Sequence, residues 1–219
     1  MALAAKLDRP VLHRARRAEP ARHAAIGQQS FRTPVGDAQE KISDTLAADS
    51  QFQPVKLGLL SDTHSLLRPE ALAALEGCDH ILHMGDVGSA AILKDLARIA
   101  PVHAVRGNID RTGSPGRLPE TDVLLFEGHY LYLLHDRAAL HLDPSAAKFS
   151  AVLYGHTHRP HIEWHREVLY FNPGSCGPRR FELPVSLGTL IIEPGEKLRP
   201  GIIYLDIATE KDGTDPLRG

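Results

Sequence analysis

The sequence predicts a mixed α/β domain from about Val55 onward, strand-rich toward its C-terminus. Two observations carry this. Between Val55 and Asn108, short apolar runs alternate with segments of helical spacing, the pattern of parallel strands joined by crossover helices. Beyond residue 118, apolar runs follow one another across short turns, the pattern of hairpins and added strands.

Each element has a local reason. "VKLGLL" (Val55–Leu60) is a continuous apolar run, as a strand buried on both faces requires. "RPEALAALEG" places Pro69 in a first helical turn and Gly77 at its stop. "HILHMGD" reads as a second strand. In "SAAILKDLARIA", Ile92, Leu93, Leu96 and Ile99 share a helical face, Ser89 suits the N-cap, and Pro101 lies beyond the end. "VHAVRGN" is a third strand. "DVLLFEGHYLYLLHD" reads as two strands about a turn at Gly128, and "DPSAAKFS" as a short helix capped by Asp143. "AVLYGH" is a further buried strand, "HIEWHREVLYFNPGS" a hairpin, and "SLGTLIIEPGEKLRPGIIYLDI" two closing strands.

The first 53 residues differ from the rest. Residues 1–30 carry six Lys/Arg, two acids and many alanines, without an apolar stripe. This predicts a mobile or partly helical extension over 1–53, followed by the folded domain over 54–219.

Composition excludes several classes. The formal net charge of -2 gives no electrostatic reason to bind nucleic acid or an anionic membrane. Two cysteines, Cys78 and Cys176, form neither a disulfide framework nor a CxxC zinc site, and suit a reducing cytoplasm. No apolar run approaches the roughly 18 residues of a membrane span. A homo-oligomer is compatible with exposed strand edges.

The chemistry falls after the strands. The first run ends at Asp62 and His64, the second at Asp86, the third at Asn108, a middle strand at His135, and "AVLYGHTHRP" at His156 and His158. In an extended segment, residues at i and i+2 point to one side. Singly, each residue has a structural reading as a cap, a turn or a surface histidine. Together, five strand ends supply seven ligand-competent side chains, where open α/β sheets place their sites. Carboxylate, imidazole and amide oxygen without thiolate suit Mn, Fe, Zn or Ni in a catalytic centre. Seven donors suit two ions, with one carboxylate bridging a pair about 3.5–4 Å apart.

"SDTH", Gly85-Asp86, Gly107-Asn108, His135, "GHTH" and "FNPGS", in that order, resemble the calcineurin-like metallophosphoesterase superfamily and its small bacterial and archaeal phosphodiesterase branch. The resemblance spans about Val55 to Asp206. It implies a four-layer α/β/β/α sandwich with mixed sheets and a binuclear centre at a sheet edge. It puts Asp62, His64, Asp86 and His158 on one divalent metal and Asp86, Asn108, His135 and His156 on the other, with Asp86 bridging. Mn²⁺ is the first choice of metal, with Ni²⁺, Fe²⁺ and Zn²⁺ as alternatives, and Asp86, Asn108 and His64 are assigned to the catalytic step. The implied reaction is in-line attack of a metal-activated hydroxide on a small phosphate ester, a phosphodiester first and a phosphomonoester as the alternative. A non-catalytic scaffold with the same fold is the competing class, and lost metal ligands would mark it.

Two positions depart from the resemblance. "GNID" has Ile109 where larger members carry a histidine, which leaves Asp110 a turn role. Asp136 stands where the branch commonly has glycine, and its carboxylate is expected either to repel phosphate or to orient His135. His83 is expected to pack, and His161 and His165 around Trp164 to decorate a hairpin. Arg179, Arg180, Arg106 and Arg111 are open between phosphate contacts and solvated charges. Ser175 and Cys176 lack a base partner, which disfavours a covalent nucleophile.

Overall fold

The computed structural model describes residues 53–207. The extension expected over 1–53 lies outside this range except for Gln53, as do the last twelve residues of the expected domain.

Among the described residues, ten strands form two five-stranded sheets. The first has the order β10(Arg199–Tyr204)–β9(Ser186–Ile192)–β1(Val55–Leu60)–β2(His80–His83)–β3(Val102–Ala104). β1, β2 and β3 are parallel neighbours, as the alternating pattern predicts, while β9 and β10 add antiparallel. The second has the order β4(Thr121–Phe126)–β5(His129–Leu134)–β6(Ala151–Leu153)–β8(Val168–Asn172)–β7(His161–His165). Here β5, β6 and β8 run parallel, and β4 and β7 close the edges as antiparallel hairpin partners.

Both hairpins turn through two left-handed residues, Glu127–Gly128 and Arg166–Glu167, the backbone that a two-residue hairpin needs. The second does so without glycine.

Two helices of seven residues follow β1 and β2: α1(Pro69–Leu75), begun by its proline, and α2(Ala90–Leu96), capped by Ser89 Oγ accepting from Ala91 N–H at 3.2 Å. Helices this short are held by packing rather than by propensity. Leu75, Ile92 and Leu96 press on Leu60, Ile81 and Leu187 at the outer face of the first sheet.

Leu57 and Leu59 of β1 enter the core between the sheets, with Met84, Leu131, Leu153, Phe171 and Leu190. A strand with apolar partners on both faces explains the unbroken run "VKLGLL". The outer face of the second sheet, with Val152, Tyr154 and Tyr170, is covered by Leu140 after a 3₁₀ turn at Arg137–Ala139. Arg137 stacks over the Tyr170 ring at 4.4 Å, and Phe149 meets Tyr132 at 5.1 Å. The four-layer order therefore holds, with a fourth layer of short turns. The expected helix at "DPSAAKFS" is one of these turns. Asp143 caps it as predicted, but Lys148 at φ 60° ends it after a single turn.

Candidate metal centre

Parallel neighbours present their carboxyl ends at one edge. Asp62 and His64 follow β1, Asp86 follows β2 and Asn108 follows β3 in the first sheet. His135 follows β5, while His156 and His158 follow β6 in the second. The fold brings all seven sequence-predicted residues together.

The cluster is built around one carboxylate oxygen. Asp62 is wholly buried, and its Oδ1 has no hydrogen-bond partner. Three imidazole nitrogens surround that oxygen: His158 Nε2 at 3.2 Å, His64 Nε2 at 3.9 Å and His135 Nε2 at 4.0 Å. Asp62 Oδ2 accepts from the His156 backbone N–H at 3.1 Å, which ties the β1 and β6 loops. Asp86 also reaches both halves, with Oδ1 3.4 Å from His135 Nε2 and Oδ2 3.7 Å from His64 Nε2. Asn108 Oδ1 lies 3.1 Å from His135 Nε2 and 3.2 Å from His156 Nδ1. Two ligand groups result, Asp62–His64–His158 and Asp62–Asp86–His135, so Asp62 as well as Asp86 faces both halves.

The backbone is strained where it holds these side chains. Asp62, His64, Asp86, His156 and His158 all have φ between 44° and 70°. Left-handed non-glycine residues persist only where surrounding contacts fix them, and they concentrate at functional sites. Gly107 shows how tightly these loops pack, since a Cβ there would overlap the Asp86 carboxylate and backbone nitrogen.

Several of the fixing contacts were not legible as such in the sequence. Asp110 is buried, and its carboxylate accepts backbone N–H groups from Val87, Gly88 and Gly107 at 3.0, 2.8 and 2.9 Å. Its turn role is thus a clamp between the β2 and β3 loops. Asn172, in "FNPGS", donates to Gly155 O at 2.7 Å and Thr157 Oγ1 at 3.1 Å, locking the loop of His156 and His158. An asparagine in an Asn-Pro-Gly turn is a signal for such a contact. His135 Nδ1–H donates to Met84 O at 2.7 Å, which turns Nε2 into the cluster.

Electrostatics follow from burial and pairing. Burial raises the Asp62 carboxyl, but the neighbouring His158 and His135 imidazoles outweigh it and hold Asp62 below the usual range. Burial likewise opposes ionisation of Asp86, while contacts from His135 and Ile109 N–H bring it down to about 2. Burial lowers His64, against the pull of Asp86 and Asp62. Burial also works against a proton on His135, but Asp86, Asp62 and Met84 O raise it. Metal ions compete for such a site by replacing protons.

His83 packs, as expected. It is wholly buried with Nε2 3.0 Å from Thr63 Oγ1, and burial pushes it down to about 4. The unfolded chain takes up this proton near pH 6.5, whereas the folded chain resists until about 4. The folded state is therefore favoured fully above pH 6.5 and progressively less as pH falls toward 4. Between pH 8 and 5 this one residue is expected to remove about 2 kcal/mol of stability. Urea unfolding of metal-free His83→Gln should show a shallower loss over that range, and an unchanged slope would refute the assignment.

A cavity of about 750 Å³ opens beside Asn108, His135 and His156. Arg106, Arg111, Tyr132, Leu142 and Asp136 are among its walls. Arg106 is paired with Glu120, and Arg111 Nε donates to Asn108 O at 3.1 Å. Of the "RR" pair, Arg180 reaches the cluster, with Nη2 3.3 Å from His64 Nε2. Ile109 is 42% exposed at the site, and its N–H donates to Asp86 Oδ1. Asp136 approaches His156, at 3.9 Å from Nε2. Ser175 Oγ donates to Asp62 O, and burial pushes the Cys176 thiol up to about 12, so neither is poised as a nucleophile. His161 Nδ1 meets Tyr154 OH at 3.1 Å, on the hairpin edge.

Two mixed sheets with imidazoles and carboxylates converging from parallel strand ends define a metallophosphoesterase fold. Residues 55–195 match the calcineurin-like phosphoesterase superfamily domain, and the chain belongs to that family. A curated metallophosphoesterase of Methanothermobacter thermautotrophicus is 33% identical over 159 residues, covering 67% of this chain and 91% of that protein. Phosphodiesterase YfcE of Escherichia coli is 32% identical over 165 residues, covering 62% of this chain and 87% of the enzyme. Among solved structures, Vacuolar Protein Sorting 29 of Cryptosporidium parvum shares the fold with a TM-score of 0.57 at 18% identity, covering 69% and 98% of the two chains. Among the described residues no helix is long and apolar enough to cross a membrane.

Proposed function

We propose that this protein is a binuclear metal-dependent phosphodiesterase acting on small phosphate esters. The buried Asp62 Oδ1, with three imidazole nitrogens around it and no hydrogen-bond partner, carries this reading. An unpaired buried carboxylate oxygen is costly unless something cationic compensates it. The donors fit a divalent pair: they are carboxylate, imidazole and amide oxygen, and the nearby Cys176 sulfur faces Ser61 O instead. Asp62, His64, Asp86 and His158 would hold one ion, and Asp86, Asn108, His135 and His156 the other, with Mn²⁺ the first candidate. When bound, the pair supplies an acidified water as nucleophile and positive charge toward the phosphoryl oxygens.

The chain's own residues prepare that chemistry. Asp86 presents one oxygen to each half of the cluster, which suits a bridge. His135 is held by the Met84 carbonyl, so it offers its lone pair without reorganising. The left-handed loops fix these donors before substrate arrives. Two buried free cysteines suit a cytoplasmic setting.

The test is hydrolysis of bis(p-nitrophenyl) phosphate and p-nitrophenyl phosphate by metal-stripped protein reconstituted with Mn²⁺, Ni²⁺, Fe²⁺ or Zn²⁺. Metal-dependent turnover with the diester preferred is expected. Preference for the monoester would make the protein a phosphomonoesterase. A folded, metal-loaded protein that hydrolyses neither would favour a scaffold role.

A further inference from the structure

Asp136 follows His135 directly, yet the two side chains have different tasks. His135 turns into the cluster against Asp86 and Met84 O. Asp136 sits at the end of β5, and its Oδ1 accepts from Ala138 N–H at 2.9 Å, capping the 3₁₀ turn Arg137–Ala139. This cap fixes the carboxylate in place. Oδ2 has no hydrogen-bond partner among the described residues, and its 3.9 Å separation from His156 Nε2 is too long for one. The side chain is 43% exposed and lines the cavity beside Asn108, His135 and His156.

The geometry points to Asp136 as a specificity-determining residue: a fixed negative charge on the cavity wall that favours singly charged diesters over doubly charged monoesters. This rests on the diester hydrolase reading above. Near neutral pH a diester carries one negative charge and a monoester close to two. A second charge within a few ångströms of a carboxylate costs about fivefold or more in binding, depending on how dry the site is. The cations on the same wall do not cancel this. Arg106 is spent on Glu120, and Arg111 is anchored to the Asn108 carbonyl. His141 lines the cavity as well. With Glu120 taken up by Arg106, the wall offers the terminal nitrogens of Arg111, whose Nε alone is bonded, for the first charge of a phosphoryl group and the Asp136 carboxylate against the second.

Asp136→Asn tests the charge and keeps the cap, because asparagine caps as well as aspartate. The full-length Mn²⁺-loaded protein and this variant would be compared at pH 8 on p-nitrophenyl phosphate and p-nitrophenyl methylphosphonate. These share a leaving group and near-equal size but differ by one charge. The variant is expected to gain about tenfold in kcat/KM on the phosphate and to stay within about twofold on the methylphosphonate. In parallel, calorimetry would compare inorganic phosphate with dimethyl phosphate. Phosphate should bind about tenfold tighter to the variant, with dimethyl phosphate unchanged. If wild-type protein hydrolyses neither ester, the hydrolase reading fails while the binding comparison still decides the charge filter. An equal change for both charge classes would make Asp136 a positioning residue for His156 and overturn the proposal, as would no change in either.

Discussion

Asp86→Ala is expected to lower metal-dependent diester hydrolysis by at least about a hundredfold, since Lewis-acid stabilisation is worth several kcal/mol of barrier. The reason is geometric. Asp86 reaches His64 with one oxygen and His135 with the other, and it is the acceptor for Ile109 N–H. Without it the two halves of the cluster share only Asp62. Bound metal, counted by atomic emission after dialysis, should fall from two equivalents to one or fewer. The fold should survive, because the site lies at the strand ends and the packed core between the sheets is untouched. A folded variant that keeps two equivalents of metal and full turnover would remove Asp86 from the bridge.

Asp110→Ala is expected to cost about 4 kcal/mol in urea unfolding of the metal-free protein, among the largest effects of any single change outside the core. The carboxylate takes three backbone N–H groups from two loops while buried. Hydrogen bonds to a charged group are stronger than neutral ones, and each abandoned buried donor adds its own desolvation cost. Asp110→Asn keeps acceptor oxygen but turns an amide N–H₂ toward donors, so about half the loss is expected. Because Gly107 N–H is one of the three donors and Gly107 packs on Asp86, metal affinity should fall in parallel with stability. A loss below about 1 kcal/mol for the alanine variant would show that the loops hold without the clamp.

The two seven-residue helices illustrate what local sequence can announce. Pro69 and Ser89 act at the positions they occupy in the chain, and no distant residue is needed to read them. "DPSAAKFS" shows the limit of the same reasoning. Its cap is real, but a cap starts a helix without ensuring that one propagates, and the chain turns away at Lys148.

At the centre, residue type and order were written in the chain: seven carboxylate, imidazole and amide side chains at five strand ends, without thiolate, set the chemical character of the cluster and the edge where it gathers. Tertiary structure decided what each polar residue faces. Asp110 and Asp136 both follow a proposed ligand within two residues, yet one is buried among backbone amides and the other opens to the cavity. Arg179 and Arg180 are neighbours of the same charge, and only Arg180 meets His64. Local sequence sets backbone preference and side-chain chemistry, because those depend on bonded neighbours. Whether a charge is clamped, paired or left facing a substrate depends on groups that arrive from other strands, and that is fixed only when the two sheets close over their shared core.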